Sequence, residues 1–161
     1  MKRINEMPPA SRVWVFQGDR AFSSGEEINI QSECEKFLAN WASHGSQLES
    51  AFEIKYSRFV VVAVDEEKAL ASGCGIDKLV HFMQDFGKKL NIDFFNRMIV
   101  VYRNESEIVS APLHQFWALR KAGLITDQSV VFDNLVKTVQ DYTSKWETTF
   151  ETSWHAEMWG R

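Results

Sequence analysis

The uninterrupted apolar run from Phe59 to Val64 constrains the fold of this chain more than any other feature. Four of its six residues are valine, and β-branched residues favour extended strands. Because no polar residue interrupts it, the run is typical of a strand that is buried on both faces. A similar run extends from Arg12 to Phe16, where four apolar residues follow the arginine. The two runs therefore predict two central strands of one sheet.

The segment from Leu48 to Tyr56 follows a different pattern, in which apolar and polar residues alternate. Side chains two positions apart in a strand share a face. One face is therefore apolar and the other faces solvent, which predicts a strand at the edge of the sheet. The apolar side consists of Leu48, Phe52, Ile54 and Tyr56, and the polar side of Glu49, Glu53, Lys55 and Ser57.

Two helices are predicted to separate these strands. Ser23 or Ser24 can cap the first helix, and Gly45 is expected to cap its end. The second helix is predicted from Ile76 to Leu90, because apolar residues recur there every three or four positions. The first helix has a similar apolar stripe, formed by Ile30, Cys34, Phe37, Leu38 and Trp41.

A fourth strand from Arg97 to Arg103 completes the order β-α-β-β-α-β. With right-handed crossovers, this order gives a ferredoxin-like arrangement, in which the first and third strands are central and the second lies at an edge. We therefore predict an α+β protein with a ferredoxin-like βαββαβ core at residues 12–104. Residues 1–11 are expected to form a loose N-terminal arm. Residues 105–161 are expected to form a C-terminal α/β extension packed on the core, in which Thr138 caps a short helix that ends near Trp146.

The composition argues against several classes of partner. The net charge of −4 disfavours a nucleic-acid partner, because phosphate contacts need a basic surface.

No stretch is apolar and long enough to predict a leader or a membrane span, so a cytoplasmic location is expected. Cys34 and Cys74 form neither a CxxC pair nor a set of zinc ligands, and both thiols are expected to be free. We predict no metal and no cofactor.

The segment from Ser72 to Lys78 is the strongest candidate for a functional site. Two glycines flank Cys74 where the second helix is expected to begin, so bare amides and a thiol lie at the positive end of a helix dipole. A thiol in that position can act as a nucleophile. His81 follows seven residues later, which is about 10 Å along a helix and too far for a direct hydrogen bond to Cys74.

The same loop can instead hold an anion, although its pattern is neither GxGxxG nor the phosphate-binding GxxxxGK[ST]. Two structural explanations remain open. The glycines can serve a tight strand-to-helix turn, and Cys74 can be a small buried residue next to the C-terminal tail. The candidate ligand-binding residues are Ser72, Gly73, Cys74, Gly75, Lys78, His81, Arg58 and Arg97.

Several segments together resemble an uncharacterised family of Bacteroidetes proteins of about the same length, whose members often carry the label "ABC transporter ATPase". The resemblance covers nearly the whole chain, and the label implies an ATP-related function without identifying catalytic residues. The segments that carry the resemblance are residues 12–17, 52–54, 72–78, 131–136 and 153–155.

No combination of acid, base and nucleophile emerges from these spacings, so a small cytoplasmic binding or interaction module without catalytic activity is expected. Its partner would be an unidentified protein or a small anionic ligand, and a homodimer through sheet or helix faces is possible. One alternative is a small enzyme that uses Cys74 or the 72–78 loop. A third alternative is the ATP-related function that the resemblance implies.

Overall fold

The computed structural model describes residues 2–160 and contains both helices and antiparallel sheets, which confirms the α+β class. Its strands are β1 (Arg12–Gln17), β2 (Ala42–Ser43), β3 (Ser46–Gln47), β4 (Glu49–Lys55), β5 (Phe59–Asp65), β6 (Ile99–Asn104), β7 (Glu107–Pro112), β8 (Val130–Phe132) and β9 (Glu147–Thr149). Its helices are α1 (Ser24–Ala39), α2 (Ser72–Leu90), α3 (Leu113–Lys121), α4 (Val139–Lys145) and α5 (Trp154–Trp159), with 3-10 turns at Ile4–Glu6 and Phe150–Thr152.

The first sheet has the order β1-β5-β4, and both of its strand pairs are antiparallel. Val62 in β5 lies opposite Trp14 on one side and Phe52 on the other. All seven residues of β5 are buried, as its apolar sequence predicts. The strand at Phe59–Asp65 is therefore central, and β4 lies at the end of the sheet as its alternating sequence predicts.

The predicted fourth strand does not join this sheet, so the complete ferredoxin-like sheet is absent from residues 2–160. Strand β6 belongs to a second sheet with the order β7-β6-β8-β9. A two-residue turn joins β6 to β7, and closing so short a loop costs little entropy, so this local hairpin occupies one edge of β6. Strand β8 pairs with the other edge, where β1 was expected. Strand β1 is consequently an end strand of its sheet and not the central strand that its apolar run predicts. Its free side contacts a later segment, where the Val13 amide donates to the Lys137 carbonyl at 2.9 Å.

Both faces of the first sheet are covered. The even-numbered residues of β5 pack with α1 and α2, and its odd-numbered residues pack with α4 and part of the second sheet. The polar face predicted for β4 is consequently not open to solvent along its whole length, because Ala51 is fully buried there. Ile4 and Met7, from the segment expected to be a loose arm, are buried in the same cluster.

Helix α1 begins as predicted but ends earlier. Ser23 caps it by accepting from the Glu26 amide at 3.2 Å, and the Glu26 carboxylate accepts from the Ser23 amide. The helix ends at Ala39, and Gly45 is not its cap. Instead, His44 and Gly45 have positive φ angles of 51° and 81°, and they form the turn of the β2–β3 hairpin.

The C-terminal elements surround the second sheet. Thr138 caps α4 by accepting from the Asp141 amide at 3.1 Å, which agrees with the predicted cap. Helices α3 and α5 pack with β6 and β8 in a separate apolar cluster that includes Phe116 and Phe150. Within residues 2–160, no helix combines the length and the apolar character needed to cross a membrane.

Candidate functional site

The candidate segment Ser72–Lys78 is helical rather than a loop, because α2 begins at Ser72 and not near Ile76. Ser72 has a φ of 54°, and its hydroxyl oxygen lies 3.5 Å from the amide nitrogen of Gly75. The hydroxyl thus offers an acceptor to the first turn of the helix, which explains the early start. The two glycines therefore lie in the first turn of α2 and do not form an open anion-binding loop.

The β2–β3 hairpin packs against this end of α2. The Trp41 indole nitrogen donates to the Gly75 carbonyl at 2.9 Å, and the Lys78 ammonium donates to the Ala42 carbonyl at 3.2 Å. The hydroxyls of Ser43 and Ser72 also share a short hydrogen bond. A Cβ at Gly75 would lie 3.4 Å from the Cβ of Ser43. Close packing with the hairpin therefore accounts for Gly75, and the Lys78 ammonium already has a partner.

Cys74 is exposed, so the expectation that it is a small buried residue is wrong. His81 is also exposed, further along the same helix. Neither side chain has a hydrogen bond or an ion pair with another residue in the described range 2–160. The structure thus brings no base to the Cys74 thiol, and the candidate nucleophile lacks the partner that activation requires.

The two candidate arginines lie elsewhere. Arg58 precedes β5 and Ser72 follows it, and seven strand residues span about 20 Å. Arg97 is exposed in the turn before β6. One terminal nitrogen of Arg58, Nη1, is buried and has no hydrogen-bond partner among residues 2–160, and burial lowers the pKa of this guanidinium. The predicted anion-binding residues therefore do not converge on one site.

A cleft of about 810 Å³ lies along the end strand β4, away from these candidates. Its volume falls within the range of about 300–1,000 Å³ that is usual for ligand sites. It is lined by Lys2, Arg3, Ile4, Asn5, Gln31, Glu35, Phe52, Glu53, Lys55, Tyr56, Tyr142, Thr143, Trp146 and Glu147.

The cleft is located at the edge of the sheet and not on one of its faces. Phe52 and Glu53 are consecutive residues of β4, so their side chains point to opposite faces, yet both line the cleft. Helix α1 supplies the wall on the Phe52 side with Gln31 and Glu35. Residues 2–5 and the segment 142–147 supply the opposite wall. The cleft therefore straddles the outer edge of β4.

Tyr142 connects one wall of the cleft to the strand. Its hydroxyl donates a hydrogen bond to Glu53 Oε1 at 2.5 Å, across 89 positions of sequence. Burial of the phenol and its bond to the Glu53 carboxylate raise the pKa of Tyr142. The phenol is consequently protonated at neutral pH and serves as a hydrogen-bond donor.

A second pair of a phenol and a carboxylate lies at the turn that follows β4. The Tyr56 hydroxyl donates to Glu147, and Arg103 contacts the same carboxylate through Nε at 3.1 Å and Nη2 at 3.3 Å. Partial burial opposes ionisation of Glu147, but the bonds from Tyr56 and Arg103 outweigh it and lower the Glu147 pKa. Burial and the bond to Glu147 raise the Tyr56 pKa. The group is thus fixed as a neutral phenol, a carboxylate and a guanidinium.

Trp146 holds the two phenols in place. Its ring stacks parallel to Tyr56 with 5.9 Å between centroids, and it lies 5.2 Å from the Tyr142 ring. The indole nitrogen donates to Asn134 Oδ1 at 2.9 Å, which fixes the ring orientation. Tyr56 itself has a φ of 55°, in the left-handed region that non-glycine residues rarely occupy. These contacts form the base of the cleft.

The side chains of the cleft are suited to binding rather than to bond chemistry. Three basic groups and three carboxylates line it, and neither histidine nor cysteine is among the described lining residues. Arg3 and Lys55 have no carboxylate within ion-pair distance in residues 2–160. Nor does that part of the chain contain a cluster of three or more His, Cys, Asp or Glu residues that could hold a metal. The cleft thus offers two unpaired cations, carboxylate acceptors and aromatic rings.

Sequence reasoning missed this cleft because its residues come from four distant segments. The sequence contained one local indication of the cleft: Glu53 and Lys55 place charges on a predicted end strand, directly before the aromatic Tyr56. Nothing in the sequence indicated that Tyr142 and Glu147 would reach them. Neither a protein-family model, nor a curated protein, nor a solved structure matches this chain.

Proposed function

We propose that this protein is a non-catalytic interaction module that binds an extended polypeptide segment along β4. The observation that carries the proposal is the position of the cleft, which touches both faces of an end strand through the neighbours Phe52 and Glu53. An extended segment that adds to the edge of a sheet occupies this position, and its side chains alternate between the two walls.

The backbone of β4 supports this mode of binding. The strand pairs with β5 on one side only, so alternate amides and carbonyls point away from the sheet. Among residues 2–160, no other backbone group forms a hydrogen bond to that outer edge. Seven residues give an added segment several main-chain hydrogen bonds, which supply affinity without requiring a particular sequence.

The other two functions receive less support. An enzyme that uses Cys74 needs a base, and the thiol has no hydrogen-bond partner among residues 2–160. An ATP-related function needs a phosphate-binding loop, and the residues around Ser72 form a helical turn whose Gly75 packs against Ser43.

We also propose a cytoplasmic location, which suits the exposed free thiol of Cys74. We further propose a partial ferredoxin-like fold for this sheet. The order β1-β5-β4 supports it, because a ferredoxin-like sheet also places its third strand between the first and the second.

A peptide selection tests the proposal. Random dodecapeptides displayed on phage are selected on the whole chain, and the binders are resynthesised in two forms that carry N-methyl groups on alternate residues. Strand addition uses the amides on one edge of the peptide only, so one form should lose binding and the other should retain it. Hydrogen exchange should slow at alternate amides of β4 when the unmodified peptide binds.

Two variants locate the binding site. Glu53→Arg places a long cation at the centre of the cleft and should weaken peptide binding about tenfold or more. Glu107→Arg makes the same change on β7, an end strand of the other sheet, and should leave binding unchanged. The proposal is wrong if both N-methylated forms bind equally well, or if exchange at β4 does not respond to the peptide.

A further inference from the structure

We infer that the extended segment bound along β4 is the β4 strand of a second copy of this chain. The inference rests on the proposed function, because it names the partner for the same edge. Two copies related by a two-fold axis would join their β1-β5-β4 sheets into one sheet of six antiparallel strands.

The charges of β4 match this self-pairing. When Phe52 of each copy lies at the two-fold axis of an antiparallel pair, Glu49 stands opposite Lys55 of the second copy. By symmetry, Lys55 stands opposite the second copy's Glu49. Residues directly opposite each other share a face of the sheet, so both ends of the strand form pairs of opposite charge.

The centre of the strand matches as well. Phe52 meets its own copy at the axis, and Ile54 meets Ser50, so these contacts fall on the face that packs against α1. Ala51 meets Glu53 on the opposite face. This register places no like charges directly opposite one another, which is the arrangement that would oppose pairing.

Existing contacts leave these charges available. Lys55 has no carboxylate within ion-pair distance in residues 2–160; its ammonium lies 5.2 Å from the centre of the Tyr56 ring, and its charge acts on the Glu147 carboxylate only from farther away. Glu49 contacts Lys2 at 3.1 Å and Lys68 at 3.6 Å, but the side chains of both lysines are about half exposed or more. Exposed lysines of this kind rearrange readily when a further cation approaches.

Charge-reversal variants of the whole chain test the inference by size-exclusion chromatography with light scattering. The wild type should have twice the 18.6 kDa mass of one chain at micromolar concentration. Glu49→Lys and Lys55→Glu should each raise the dimer dissociation constant roughly tenfold or more, because each creates two like-charge pairs. Glu107→Lys on β7 is the matched control and should remain dimeric.

Mixing supplies the decisive measurement. An equimolar mixture of the Glu49→Lys and Lys55→Glu variants restores opposite charges at both ends, so a heterodimer should form from two monomeric proteins. The doubly reversed variant should dimerise with itself for the same reason. Recovery in the mixture also shows that both single variants are folded.

Three results would overturn the inference. They are a monomeric wild type, single reversals that leave the dimer intact, and a mixture that stays monomeric although circular dichroism shows folded chains. A monomeric wild type that still binds selected peptides in the N-methylation test would reject the second copy and retain the proposed function. A monomer that binds no peptide would reject both.

Discussion

The hydroxyl of Tyr142 donates to the carboxylate of Glu53 at 2.5 Å and thereby fastens α4 to the outer strand β4. The bond spans 89 positions of sequence, so it fixes a wall of the cleft that no local pattern specifies. Both groups are at least half buried, and a hydrogen bond from a hydroxyl to a carboxylate oxygen is among the stronger kinds in proteins.

Removing this hydroxyl should destabilise the protein. Tyr142→Phe keeps the ring but leaves the Glu53 carboxylate without its donor, and we expect a loss of about 1–2 kcal/mol in the free energy of unfolding, measured with urea. Tyr102→Phe is the matched control, because the Tyr102 hydroxyl forms no hydrogen bond within residues 2–160; it should change stability by less than about 0.5 kcal/mol. Equal losses in the two variants would contradict the role of the Tyr142 bond.

Two glycines of α2 should respond to alanine in opposite directions. A Cβ at Gly87 would lie 2.5 Å from the Ile92 carbonyl oxygen, so Gly87→Ala forces the backbone to shift and should cost about 1–3 kcal/mol. A Cβ at Gly73 meets nothing within 4 Å, so Gly73→Ala should stabilise the helix by about 0.5–1 kcal/mol. Thermal unfolding monitored by circular dichroism gives both values. A destabilised Gly73→Ala would show that Gly73 has a role other than helix geometry.

Acid should weaken the fold through His155. Burial lowers the pKa of this imidazole from about 6.5 to about 4, and its ring packs against Phe116 and Trp154. Between these two values the unfolded chain binds a proton that the folded chain excludes, so stability falls as the pH drops from about 6.5 to about 4. The loss attributable to His155 is about 3 kcal/mol when the lower limit is reached.

Urea unfolding at several pH values measures this effect. The variant His155→Gln has no titrating group at that position, so its stability should fall less than that of the wild type between pH 6.5 and pH 4. Parallel curves for the two proteins would show that folding does not lower the pKa of His155.

The two thiols should differ in reactivity. Cys34 is buried, and burial raises its pKa to about 12, so it should react with iodoacetamide only when the protein unfolds. Cys74 is exposed and has no base beside it among residues 2–160, and should react at the rate of a free cysteine. Mass spectrometry of timed samples distinguishes the two residues. If Cys74 reacted with iodoacetamide about a hundredfold faster than free cysteine, that result would support the enzyme hypothesis.

Local patterns predicted most of the elements. The apolar run at Phe59–Val64 became a buried central strand, and the Ser23 cap and the Thr138 cap lie where the sequence indicates. These features depend on neighbours within a few residues, so one sequence is sufficient to predict them. The end of α1 was misplaced because Gly45 suits a hairpin turn as well as a helix cap.

Pairing and proximity were not predictable in the same way. Beside its hairpin partner β7, strand β6 could pair with β1 or with β8, and its own composition does not distinguish these two partners. The cleft requires the segment 142–147 and residues 2–5 to meet β4, although these three segments lie far apart in the chain. Candidates chosen for their residue types, such as Arg58 and Cys74, proved to be separated by the full length of β5.

By itself, the sequence determined the α+β class, the central position of Phe59–Asp65 and the caps of two helices, because hydrophobic periodicity and capping act over a few residues. Only the tertiary structure decided that β4 keeps a free edge and that Tyr142 and Glu147 close a cleft around it. The reason is that one strand edge can pair with several different segments. The pairing that forms depends on the entropy of closing each loop and on how well the covering side chains pack, and no single segment encodes either quantity.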